Sequence, residues 1–407
     1  MLNGSQLRVL VLFALGYFVS YVFRGVNLGF APYLLHDLGL SAASLGVLTS
    51  LYFLGFAATQ IPAGVMLDHF GARRTVAVLL LVTAVGSLVY GDSHGLGALM
   101  VGRFLIGVGV AACLGGAFKA LAQVFPVQRL PMVNGIVMAV GGLGGVAVGS
   151  PLSWLLGRTD WRTVCFGLAG LSFLVALALW LGAPQDRNTR HQGTVLAQFK
   201  GTWHILCNAG FWKLASFSVM TQGTFYAVQS LWLGPYLRDV TQLSATHAAS
   251  MVSVVGLAMM GGCLFFGIVA RSLSRIGLNL YRVCGVGLLA FLLVQVLIVA
   301  RAPLPDVLLW ASYGAFGGTG ILTYAIMAEH FPPHLIGRVN TTLTLVIFVL
   351  IFAFQIAVGN VLSHWPRVDG HYPNVAHWWA WGGLIALQAV SAIWYFLPAQ
   401  RQHPLAA

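Results

Sequence analysis

The stretch Gly64-Val-Met-Leu-Asp-His-Phe-Gly-Ala-Arg-Arg74 (GVMLDHFGARR) stands between two apolar runs, and its reading decides how the chain on either side is folded. Gly64 and Gly71 let a helix end turn tightly and approach a neighbour. Asp68, Arg73 and Arg74 can then make charge-assisted bonds to helix ends on the same side. A short connection of this kind, polar and glycine-marked between two long apolar segments, is what two successive membrane-crossing helices require.

Outward from this loop the same character persists to both ends. The 407 residues are 58% hydrophobic and 7% charged, with 25 Phe, 12 Trp and 49 Gly, which sets the chain apart from soluble globular domains. A window of about 19 residues finds twelve apolar spans, at 9–34, 43–66, 75–90, 99–124, 133–156, 164–181, 214–236, 248–269, 283–300, 307–328, 343–362 and 379–396. The first is too long for the core of a signal peptide and no small-residue cleavage pattern follows it, so it is read as a span. The long polar connection 184–213 divides the chain six and six, into 1–183 and 214–407, with no extramembrane domain expected.

Charge then orients the chain. The formal net charge of +12 does not signal a nucleic-acid partner, because the basic residues are spread singly between apolar spans. With the amino terminus inside, thirteen Lys and Arg fall in cytoplasmic segments and five in outer segments. The remaining three of the 21, Arg24, Arg103 and Lys119, lie within spans. Both termini are therefore expected to be cytoplasmic. Cys113, Cys165, Cys207, Cys263 and Cys284 show no CxxC spacing, so neither a disulfide framework nor a metal site is expected, and no cofactor is.

The halves echo each other. Phe125-Pro126, with Arg129 and Asn134 behind it, closes span four; Phe331-Pro332, with Arg338 and Asn340, closes span ten. Gly64 and Gly267 end spans two and eight, and the offsets of 206 and 203 residues suggest a duplicated six-helix unit. The loop quoted above resembles the G-x-x-x-D-[RK]-x-G-x-[RK]-[RK] motif of the major facilitator superfamily, with His69 at the basic position. Arg103-Phe-Leu-Ile-Gly107-Val-Gly109 is similar to that superfamily's R-x-x-x-G-x-G motif, although small residues at such spacing also serve close helix packing. In the second half Arg271 takes the acidic position of the loop motif, a departure from the pattern. The resemblance implies an all-α membrane protein with 12 transmembrane helices in two six-helix bundles, 1–183 and 214–407, rocking about a midplane site. It also implies gating roles for Gly64, Asp68, Gly71, Arg73, Arg74 and Arg103, and a bacterial inner membrane as location.

The candidate site starts from a charge in an apolar helix. Tyr17, Ser20, Tyr21, Arg24 and Asn27 recur at three- and four-residue steps and line one stripe of span one. A charge near midspan costs at least about 2.5–3.5 kcal/mol and belongs in the bundle interior. Arg24 is either a substrate-binding cation or a structural arginine satisfied by carbonyls. Lys119 either reaches the cavity or snorkels to the inner interface, and Arg103, near the outer end of span four, either snorkels or braces the first half. No acid falls clearly in the middle of a span, so Arg24 and Lys119 have no obvious intramembrane carboxylate partner, and an anion from solution would complete them. A proton relay has a single candidate, Glu329 at the inner end of span ten. In the second half Gln222, Tyr226 and Gln229 share one face of span seven, and Tyr313 in span ten adds a hydroxyl.

The function expected from these residues is secondary transport of a small organic anion, a carboxylate- or phosphate-bearing metabolite, as facilitator or exchanger. An amino-acid transporter and a multidrug or siderophore exporter are the alternatives; a non-transporting sensor lacks an output domain. An enzyme is disfavoured, since no nucleophile–base set or metal cluster occurs at a credible spacing. The expected partners are the anionic solute and the lipid bilayer, and nothing requires more than a monomer.

Overall fold

The computed structural model describes residues 3–126, 129–184, 195–275, 279–332, 335–368 and 370–397. They are helical almost throughout, and the pairing of Val368 with His371 is an isolated bridge. Two compact units divide the chain, Met1–Val195 and Leu196–Ala407.

In the first unit α1 (Gly4–Asp37) leads into α2 (Ala42–Gly91), which begins where the Ser41 hydroxyl accepts from the Ser44 N–H. At Gly71 α2 is kinked, with φ 79° and ψ 169°, a left-handed value that a side chain resists. The sequence loop is thus a bend between two apolar segments. Next come α3 (Leu96–Val110) and α4 (Cys113–Val124), which together form one span, then α5 (Leu130–Ala147) and α6 (Ser150–Leu156), bent by 41°. The unit's last span, α7 (Trp161–Gly182), starts at Asp160, whose carboxylate accepts from the Thr163 N–H. That cap holds the exposed Asp160 carboxyl below the usual carboxylate range. Gly107 lets α3 press on α2: a Cβ there would run into the carbonyl of Tyr52.

The second unit opens with the short α8 (Val195–Leu206) and α9 (Ala209–Ala227), capped by Asn208. A π-helical turn, Val228–Trp232, joins α9 to α10 (Leu233–Asp239). Then follow α11 (Ala245–Arg275), α12 (Leu280–Val299) and α13 (Asp306–Gly317). A 3-10 turn, Gly318–Ile321, links α13 to α14 (Leu322–His330), and α15 (Ile336–Leu362) and α16 (Asn374–Phe396) complete the unit. Its core includes Phe217, Phe266, Leu288 and Tyr395, with Tyr281 stacked on Tyr395 at 4.0 Å.

The repeated Phe-Pro pairs have a direct structural meaning. Phe125 and Phe331 end α4 and α14 in extended conformation, φ/ψ −109°/144° and −112°/148°, as a residue before proline must. Among the described residues eight helices are long and apolar enough to cross a membrane, or nine if the bent pair is one span. The rest of the expected twelve lie in the doubled α2 and in the two spans interrupted by the π and 3-10 turns. With apolar helices of this number the chain is an integral membrane protein.

Candidate functional site

In the first unit the span-one stripe is buried. Tyr17, Tyr21, Arg24 and Asn27 are 5%, 7%, 8% and 0% exposed. The Arg24 guanidinium carbon sits 4.3 Å from the centre of the Tyr21 ring, a cation over a π face, and Tyr21 meets Tyr17 edge-on at 5.2 Å. Tyr52 from α2 donates to the Ser20 carbonyl at 3.1 Å and lies within electrostatic reach of both Arg24 and Arg103. Asn27 divides from the rest of the stripe. Its amide donates to Thr49 Oγ1 at 3.0 Å and its carbonyl accepts from the Tyr90 hydroxyl at 3.1 Å, an interhelical bond between α1 and α2.

The three cations within spans have three different environments. Arg103 is fully buried and does not snorkel; its Nη1 donates to the Phe23 carbonyl at 2.8 Å and its Nη2 to the Arg24 carbonyl at 3.4 Å. It braces α1 at the residue that carries the other arginine. Lys119 corrects the expectation that it lacks a carboxylate. Its Nζ lies 2.7 Å from Asp68 Oδ1 and 2.6 Å from the Leu67 carbonyl, so the ammonium of α4 is tied to the loop motif of α2. The signal was in the sequence: both residues stand near the inner ends of their spans, but the pairing crosses 51 positions that local spacing does not connect.

The other loop residues act separately. Gly64 is half-buried in α2 and Gly71 supplies the kink. Arg73 donates to the Ala183 carbonyl at the end of α7 at 3.1 Å, a charge-assisted bond to a helix end, and Arg74 is exposed.

In the second unit Gln222 is buried and donates to Ser218 Oγ at 3.1 Å and to the Gly320 carbonyl at 3.2 Å, which ties α9 to the 3-10 turn. Gln229 sits on the π turn, half-buried, with its amide 3.8 Å from Met259 Sδ. Tyr226, one turn earlier, is half-buried, and its carbonyl accepts from Ser230, which in turn accepts from Gln355 Nε2 at 2.8 Å. Tyr313 is wholly buried in an aromatic cluster, 4.9 Å from Phe291 and 5.4 Å from Phe225. Glu329 is exposed near the end of α14. The acid that sequence reasoning passed over is Asp239, 7% exposed by its side chain, with His377 Nε2 and His371 Nδ1 each 2.9 Å from one of its two oxygens.

The first unit thus holds a buried cation on an aromatic face, and the second holds buried amides and hydroxyls beside turns that break regular helices inside apolar spans. Comparison with known proteins agrees with this architecture. A "Probable sulfoacetate transporter" of Cupriavidus necator is 26% identical over 277 residues, 63% of this chain and 64% of that protein. A "Putative tartrate transporter" of Agrobacterium vitis is 26% identical over 313 residues, 71% of each chain. Among solved structures, a bacterial homologue of the human lysosomal transporter Spinster superposes with a TM-score of 0.76 at 16% identity, over 98% of this chain and 97% of that one. The nucleoside transporter NupG gives 0.76 at 17% identity, over 97% and 100%. The family whose sequence model matches is described as the Major Facilitator Superfamily, and the match runs over residues 13–355. Helices, motifs and this match together place the chain in the Major Facilitator Superfamily.

Proposed function

We propose that the protein is a secondary transporter of a small organic anion, working by alternating access in a bacterial inner membrane with both termini cytoplasmic. The single observation that supports it best is Arg24: a guanidinium within an apolar span, laid over Tyr21, that keeps 8% of its residue surface accessible where Arg103 keeps none. A buried cation recognises a planar anion by charge-assisted, bidentate bonds. The names of the sulfoacetate and tartrate relatives describe anions that carry carboxylate or sulfonate groups, in keeping with this reading. Tyr17 and Tyr21 flank the anion within the first unit. Asn27, Gln222 and Lys119 drop back to packing and latch roles because of the partners described above.

A thermal-shift screen of dicarboxylates, sulfonates, phosphates, amino acids and lipophilic cations tests the proposal. One anion class is expected to raise Tm in the wild type and to lose that effect in Arg24→Ala and in Arg24→Gln. Stabilisation by lipophilic cations alone, or by an anion equally in the folded variants, overturns it.

A further inference from the structure

The geometry points to a proton-binding site at Asp239, His377 and His371, where the end of the second unit's first span is clasped to the start of its last. This goes beyond the transport reading and does not depend on which solute is carried.

Each unit builds the same clasp. In the first, Asp37 ends α1 and its Oδ2 accepts from Trp161 Nε1, the opening residue of α7, at 3.1 Å. Its Oδ1 lies 3.0 Å from His36 Nδ1. In the second, Asp239 ends α10, 202 positions further along the chain. Its Oδ2 lies 2.9 Å from Nε2 of His377, in the first turn of α16, and its Oδ1 2.9 Å from Nδ1 of His371. The plan is shared: one carboxylate, a ring N–H from the unit's last span on one oxygen, and a histidine Nδ1 on the other.

Two differences decide the chemistry. An indole N–H cannot titrate, whereas imidazole changes charge between about pH 5 and 8. The Asp37 side chain is 44% exposed and screened by water; those of Asp239 and His377 are 7% and 2% exposed. A proton taken up at His377 therefore turns a bond between a neutral imidazole and a carboxylate into a buried ion pair, while the first clasp has no equivalent in its indole arm. Burial pushes the Asp239 carboxyl up, but the bonds from His377 and His371 outweigh it and hold the group below the ordinary carboxylate range. The carboxylate is thereby kept ionised beside the two imidazoles.

Other charged and titratable groups surround the clasp. On α10, the Tyr236 hydroxyl donates to the Ile298 carbonyl, its ring meets His377 edge-on at 5.6 Å, and Arg238 Nε donates to the Gly234 carbonyl. Arg301, beyond α12, donates to the Val240 carbonyl, and Asp306 opens α13 within electrostatic reach of Tyr236. Arg367 lies over the Tyr372 ring at 4.7 Å, and exposed His247, in the first turn of α11, bonds Ser244. Asp369 lies outside the described residues. Val368 pairs with His371 in an isolated bridge, Gly370 has φ 81°, and His371 meets Asp239.

The sign follows. A proton placed on either imidazole beside this carboxylate makes an ion pair that tightens the clasp, so stability is expected to be gained as pH falls from 8 to about 5.5. Only below the ordinary carboxylate range, as Asp239 itself takes a proton, is that contribution lost.

Tm of the full chain in detergent, measured from pH 8 to 5.5, reads this directly. The wild type is expected to gain Tm as pH falls. The half-exposed His371→Gln should lose part of that gain, and His371→Gln/His377→Gln, which keeps amide donors, most of it. His36→Gln should retain it, since that imidazole is exposed. If the double variant is poorly folded, His371→Gln against His36→Gln decides alone. A wild type whose Tm does not rise, equal slopes in wild type and His371→Gln, or a slope lost equally in His36→Gln overturns the proposal.

Discussion

At the scale of single residues, the three cations inside spans separate by what holds them. Arg103 is neutralised by dipoles, two carbonyls of α1, and Lys119 by a carboxylate and one carbonyl. The Lys119–Asp68 side chains are 26% and 40% exposed, so water screens the pair and the Coulomb gain is modest. Asp68→Asn should cost no more than about 1 kcal/mol of stability. Its effect on transport should be larger if the pair opens and closes during the cycle. A double-mutant cycle of Asp68→Asn with Lys119→Met, read both as Tm and as uptake rate, checks this: coupling in uptake is expected to exceed coupling in Tm. The sequence displayed each of these residues as a charge in an unusual place. It did not display their partners, because a bond from α4 to α2 depends on how two helices rotate about their axes, which composition does not fix.

At the scale of elements, spans were legible because lipid demands about 20 apolar residues in a row and charges mark their ends. The Phe-Pro repeat was legible for a local reason, the extended conformation that proline imposes on Phe125 and Phe331. The interruptions were not. Val228-Gln-Ser-Leu-Trp232 carries no helix breaker of its own, yet the chain makes a π turn there, ahead of Pro235, which cannot donate to the Leu231 carbonyl, and with Gln229 and Ser230 meeting Met259 and Gln355 of other helices. Glycines sort by the same distinction between local and tertiary demands. At Gly71 the demand is a left-handed φ of 79°, and Gly71→Ala should cost about 1–2 kcal/mol. At Gly107 the φ is helical but the Tyr52 carbonyl occupies the space of a Cβ, so Gly107→Ala must push α3 off α2 and should cost at least as much, about 1–3 kcal/mol. Tm values of the two variants check both figures. Gly71→Asn should recover none of the loss, since φ 79° with ψ 169° is a region that essentially only glycine occupies, and Gly107→Asn should be worse than Gly107→Ala.

At the scale of the whole molecule, the distribution of charge makes a claim that no local contact can make. In the proposed orientation thirteen basic residues lie on the cytoplasmic side against five on the outer side, and Asp37 and Asp239 each close a span that ends on the outer side. Cys207 offers a test without an engineered probe. It lies between α8 and α9, on the side richer in Lys and Arg, and it is exposed, while Cys113, Cys165 and Cys284 are buried and Cys263 half-buried. The buried thiols Cys113, Cys165 and Cys284 have no path to a bulky aqueous reagent. A membrane-impermeant maleimide added to intact cells should therefore leave the native chain unlabelled, while inverted membrane vesicles should take up label that Cys207→Ser abolishes. Labelling of Cys207 from outside intact cells would reverse the orientation. It would also move the histidine clasp to the cytoplasmic face, where pH is held nearly constant and a proton-responsive contact would have little to sense.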